Sequence, residues 1–96
     1  MTKKEILDFL QSHKYILKKR YGVLRIGLFG SYAKEMATPE SDIDIYVEFE
    51  ERKFRKIAGT WNYLEKNLGG KIDLLYPHPE MRPSLKKSIE KEVIYG

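Results

Sequence analysis

Asp42 and Asp44 stand two positions apart in a run, Asp42 to Phe49, that alternates polar and apolar residues and reads as a half-buried strand. Both carboxylates then share one face. At roughly 3.3 Å per residue they lie about 7 Å apart, close enough for both side chains to converge on one or two divalent ions. Unpaired, the two charges would repel by about 0.6–2.4 kcal/mol for an effective dielectric between 80 and 20, and a bound cation would reverse that sign. Ten residues before Asp42 sits a small-residue turn, Gly30-Ser31. It opens a short helix expected over Ser31 to Met36 with Ser31 as its cap, whose free N–H groups make a ready anion site. Asp73 lies between Ile72 and Leu74 in a third strand, Lys71 to Tyr76, and points away from those two, as Asp42 and Asp44 point away from Ile43 and Ile45. Three carboxylates on one side of a sheet form an oxygen donor set suited to Mg²⁺, which prefers carboxylates, water and substrate phosphate to a closed protein cage. The chemistry this pattern offers is that of a metal-and-triphosphate site.

These residues need a frame. Thr2 followed by Glu5 gives a capping-box start, and Ile6, Phe9, Leu10, His13, Ile16 and Leu17 fall on one stripe of a helix that runs to about Arg20 and ends at Gly22. Val23 to Phe29 is a mostly apolar run of strand length, as expected for a strand covered on both faces. Ile57, Ala58, Trp61, Leu64 and Leu68 repeat at helical spacing from Phe54, with Gly69-Gly70 as the stop, and the stripe reads as core rather than as a base-stacking platform. Pro77 and Pro79 break the chain after the third strand, and Ser84 to Glu92 forms a last helix with Leu85 and Ile89 inward. The order helix, strand, short helix, strand, helix, strand, helix gives the α/β (α+β) class, a small mixed sheet flanked by helices.

Gly30-Ser31, ten residues, then Asp42-Ile43-Asp44 resembles the signature of the minimal nucleotidyltransferases, MNT proteins of the DNA polymerase β-like superfamily, and the resemblance covers nearly the whole chain. It implies the polymerase β-like nucleotidyltransferase fold, with the first two strands side by side. It implies ATP as substrate and two Mg²⁺ ions held by Asp42 and Asp44 about 3.5–4 Å apart. Asp73 would complete the catalytic and metal-binding set, on the ion that activates the attacking hydroxyl. Gly30 and Ser31 would bind nucleotide, the Ser31 hydroxyl and the turn amides gripping the β- and γ-phosphates while pyrophosphate departs. Such catalysis is mostly positioning and charge neutralisation. The implied biology is an antitoxin that moves AMP onto a tyrosine of a separately encoded HEPN-type toxin. The alternatives are a non-catalytic module that masks its partner, and nucleotide addition to RNA, which the want of an aromatic and basic stacking surface disfavours.

The chain departs from that family in one place. Members commonly follow Gly-Ser with a residue and then Ala-Arg-Gly, where this chain has Ala33-Lys34-Glu35. Lysine loses the bidentate fork of arginine, and Glu35 places a bulky anion near the expected triphosphate. Tyr32 and Lys34 flank the turn within reach of nucleotide; His13 and His78 have no partner at ligand spacing and read as structural. The 96 residues are expected to form one domain, 1–96, with no cysteine and no membrane span, hence cytoplasmic. The formal charge is +4, concentrated in the first and last helices, and suits an anionic partner, although solvated helix faces explain it as well. Abundant Lys and Glu with scarce Asn and Gln is a thermophile-type bias. Oligomeric state, homo-oligomer included, stays open.

Overall fold

The computed structural model describes residues 1–96. Helix α1 (Lys3–Tyr21) begins with the expected capping box: the Glu5 N–H donates to Thr2 Oγ1 and the Thr2 N–H to Glu5 Oε1. It ends at Gly22, whose φ of 69° is the left-handed conformation that glycine adopts without penalty. Strand β1 (Val23–Phe29), helix α2 (Gly30–Ala33), strand β2 (Ile43–Phe49), helix α3 (Phe54–Leu68), strand β3 (Ile72–Leu75), helix α4 (Pro83–Glu92) and strand β4 (Ile94–Tyr95) follow.

The sheet order is β3-β2-β1-β4. β1 lies antiparallel to β2 and to β4, while β2 and β3 run parallel and need the α3 crossover between them. The first two strands are therefore neighbours, as the resemblance implied. α1 and α3 pack on one face of the sheet. There Ile6, Leu10 and Leu17 of α1 and Leu64 and Leu68 of α3 meet Ile26, Leu28, Ile43, Ile45, Val47, Ile72 and Leu74 in a single cluster. The Trp61 Nε1–H donates to the Ile72 carbonyl at 3.0 Å and fixes α3 to β3.

Four expectations change. Leu85 of α4, expected inward, is 46% exposed, and only Ile89 of that helix is buried. β4 has no counterpart among the strands read from the sequence. The turn helix is Gly30–Ala33, with Phe29 rather than Ser31 at its cap position and no side-chain capping bond. The α3 stripe is core only in its second half: Leu64 and Leu68 are buried, Ile57, Ala58 and Trp61 are half-buried, and Phe54 is 83% exposed. At the start of α3 Phe54 projects past the sheet, while Ile57 packs against the core. His13 is structural as expected, its ring stacked on Phe9 and its Nδ1 within 2.9 Å of the Phe9 carbonyl oxygen.

Candidate active site

The sheet face opposite α1 and α3 carries the candidate chemistry. Register brings it together: Asp44 pairs with Asp73 across the parallel β2–β3 ladder and with Phe29, the residue before the Gly-Ser turn, across β1–β2. Residues directly opposite on neighbouring strands share a face, so the two carboxylates stand side by side. Asp42 lies just before β2, two positions from Asp44, where a turn fixes it. The Thr38 N–H donates to Ser41 Oγ at 2.9 Å and the Ser41 N–H to the Thr38 carbonyl at 3.0 Å. Asp42 and Asp44 are half-buried, and Asp73, on the edge strand, is exposed.

Gly30 locks the turn to the carboxylates. Its φ of 75° favours glycine, and a Cβ built on it would run into Asp44 Oδ2. Any side chain there would displace the carboxylate. Ser31 and Tyr32 are half-buried beside it, and Lys34, at the end of α2, reaches α4 instead of the turn, with its Nζ 3.4 Å from Glu92 Oε1. Glu35 has a φ of 58°. This is the position where the related family commonly places glycine, and the left-handed backbone explains that preference in steric terms.

Electrostatics mark Asp44 as the congested group. Its carboxyl is pushed up to about 6, first by burial, then by the charge of Asp73 and a hydrogen bond with it, and last by Asp42. Beneath it on the same face Tyr46 is fully buried with its hydroxyl unpartnered, and burial pushes that phenol up to about 12. No three His, Asp or Glu side chains converge into a ready metal cage. The all-oxygen donors nevertheless fit Mg²⁺, which keeps several waters and relies on one or two carboxylates plus phosphate, and the repulsion at Asp44 is what a cation would relieve. The largest hollow, about 490 Å³, lies beyond the turn between Tyr32, Glu35, Thr38 and the start of α1; none of the three carboxylates lines it. The candidate site is thus an open shelf on the sheet rather than a cavity. Sequence reasoning missed the interlock of Gly30 with Asp44, for which glycine in the turn was the available signal, as well as the buried Tyr46 beneath the carboxylates and the left-handed backbone at Glu35.

Comparison with known proteins identifies the family and the fold. The family profile described as Nucleotidyltransferase domain matches residues 10–95. A Methanocaldococcus jannaschii protein, MJ1379, provisionally named a protein adenylyltransferase, is 48% identical over 97 residues, covering 98% of this chain and 97% of its own. The protein adenylyltransferase MntA of Thermococcus cleftensis is 42% identical over 95 residues, covering 98% and 91%. Among solved structures, one provisionally described as a minimal nucleotidyltransferase superposes with a TM-score of 0.82 at 28% identity, covering 98% of this chain and 95% of that one. A chain from a complex of a tri-AMPylated Shewanella oneidensis HEPN toxin with an MNT antitoxin shares the fold at a TM-score of 0.61 and 18% identity, covering 93% and 70%. The profile spans nearly the whole chain and the relatives align almost end to end, so this chain belongs to the nucleotidyltransferase domain family and has the minimal nucleotidyltransferase fold.

Proposed function

We propose that the chain is a Mg²⁺-dependent adenylyltransferase that moves AMP from ATP onto a tyrosine hydroxyl of a HEPN-type toxin and thereby acts as its antitoxin. The observation that carries this reading is the interlock of the turn with the carboxylates, in which Asp44 fills the space a side chain on Gly30 would need while standing beside Asp73. A triphosphate resting on the turn is then held directly against the acidic shelf. Relatives named for protein adenylylation, and the toxin complex of a protein with the same fold, support a protein acceptor over a small molecule.

Gly30 and the backbone amides after it, with the Ser31 hydroxyl, would bind the β- and γ-phosphates. Asp42 and Asp44 would hold Mg²⁺, with Asp73 as the third ligand. When bound, the ions would neutralise the phosphates and lower the pKa of the acceptor hydroxyl. The exposure of Asp73 on the edge strand leaves a side from which a partner's tyrosine can approach. The tyrosine oxygen bonds to the α-phosphorus, the bond from that phosphorus to the α–β bridging oxygen breaks, pyrophosphate leaves, and the hydroxyl proton passes to solvent. What this chain contributes is alignment and charge placement.

A masking module without catalysis is the second reading, favoured by the anionic Glu35 that follows the Gly30-Ser31 turn. One experiment separates them. The protein is incubated with Mg²⁺, α-labelled ATP and the toxin encoded beside it, using the parent chain and Asp42→Asn. Label on the toxin with the parent alone supports transfer. Protection by both proteins with no label supports masking.

A further inference from the structure

At the far end of β2, about 17 Å from Asp44 at roughly 3.3 Å per residue, the chain concentrates positive charge around an exposed aromatic ring. The segment Arg52-Lys53-Phe54-Arg55-Lys56 has cations at every position but one, and that one is Phe54, 83% exposed, so the aromatic and basic surface whose want disfavours RNA at the level of sequence is present in the fold. Lys18, Lys19 and Arg20 form the basic end of α1, and Arg20 borders the same region. Against them stand Glu50 and Glu51, the latter paired with Lys53 at 3.0 Å.

The fold accounts for the cations of α1 and not for those of α3. Lys18, Lys19 and Arg20 lie in the last turn of α1, where cations are stabilised by the helix dipole. Lys53, Arg55 and Lys56 open α3, whose first turn contains no acidic residue, and there the dipole opposes them. Phe54 likewise gains little from burial. Charges and a ring placed at a cost to the folded state are explained by something they bind.

The shapes on either side of α3 describe that ligand. One hollow of about 360 Å³ is lined by Arg20, Tyr21, Lys53, Arg55 and Lys56, with the Arg20 guanidinium resting over the Tyr21 ring. The other, also about 360 Å³, is mostly apolar, formed by Phe54, Ile57, Ala58, Trp61 and Tyr76 together with Asn62 and Glu65. A basic hollow next to an apolar, aromatic one matches a chain of alternating phosphates and flat bases. A segment of Asp and Glu would use the cations but has no flat group to lie on the Phe54 ring. We propose that this end of the molecule binds single-stranded nucleic acid, with Phe54 stacking on a base and Arg20, Lys53, Arg55 and Lys56 holding the backbone phosphates. Stacking on an aromatic side chain combined with phosphate contacts is how strands are gripped without reading sequence. In a duplex the base faces are already stacked and unavailable to Phe54.

The test is fluorescence anisotropy on the full chain with a labelled 12-nucleotide single-stranded RNA, the matching DNA strand and the matching duplex. The single strands should bind, with a log–log salt slope of roughly −2 to −3 for three to four phosphate contacts. Tighter RNA than DNA would show that the ribose is sensed, and equal binding that only bases and phosphates are. Phe54→Ala, a change at an exposed position, should weaken binding roughly tenfold while leaving the slope unchanged. Arg55→Gln with Lys56→Gln should weaken binding and flatten the slope by about 1.4. Asp44→Asn should bind as the parent does, because the catalytic shelf lies at the other end of the sheet. Equal affinity for the duplex, an unaltered affinity in Phe54→Ala, or displacement of the strand by a polyglutamate peptide at matching charge concentration would each overturn the assignment. The last result would make this an acidic-protein surface.

Discussion

Replacing Asp44 by asparagine should stabilise the metal-free protein at neutral pH while abolishing transfer. In the folded chain the Asp44 carboxyl is pushed up to about 6 from 3.8 by burial and by its acidic neighbours. A group whose folded pKa is raised contributes stability that is fully present below its unfolded pKa and is lost as pH rises through the folded one. The loss therefore falls between about pH 4 and pH 6. Unscreened, the difference amounts to about 3 kcal/mol at 1.36 kcal/mol per pKa unit. Asp44 is only half-buried, and solvent screening reduces this to roughly 1–1.5 kcal/mol. Asparagine carries no charge at any of these pH values, so the variant should gain that amount over the parent at pH 7.5, about 4–12 °C in midpoint for a domain of this size. The assay is thermal unfolding in EDTA from pH 4 to 8, taken as the difference between variant and parent so that other titrating groups cancel. Repeating it with Mg²⁺ should raise the parent's midpoint more than the variant's. A variant less stable than the parent at pH 7.5, or a difference that does not change between pH 4 and 7, would refute the reasoning.

Glu35→Gly should raise stability by about 1 kcal/mol in urea unfolding, because the φ of 58° penalises a residue with a Cβ. An unchanged midpoint would mean that glycine's entropy in the unfolded chain offsets the relief. Ser31→Ala should weaken ATP by about 1.5–3 kcal/mol and AMP by much less in calorimetric titration, since the lost hydrogen bond is to the outer phosphates. Gly30→Ala should lose ATP binding by the same titration and destabilise the fold by at least 1 kcal/mol, since the new methyl group meets Asp44 and the backbone conformation disfavours it.

Local patterns in the chain reveal the site better than they reveal its surroundings. The spacing of Gly30-Ser31 from Asp42 and Asp44, and the alternation through β2, depend on neighbours along the sequence and are legible there. That Asp73 stands opposite Asp44 depends on strand register, which is set across 29 positions by the α3 crossover; periodicity put Asp73 on the right face, and family resemblance alone suggested its place. β4 is two residues long and exists because Gly27 and Leu28 offer an open edge to Ile94 and Tyr95. No two-residue pattern could announce it. The α3 stripe shows the opposite failure: helical spacing identified an apolar face but not how far the helix projects past the sheet, so Phe54 was read as core and is exposed. The Glu35 backbone conformation was hidden as well, its one trace being that related chains place glycine there.

The central claim, adenylyl transfer through the acidic shelf, is tested most directly by intact-mass measurement of the partner toxin. Toxin is incubated with ATP, Mg²⁺ and either the parent chain or Asp42→Asn, and any added mass is mapped to a residue by fragmentation. The account predicts one or more adenylyl additions on tyrosine with the parent and none with the variant. Toxin of unchanged mass under conditions where the parent chain still neutralises it, or equal modification by the variant, would contradict it.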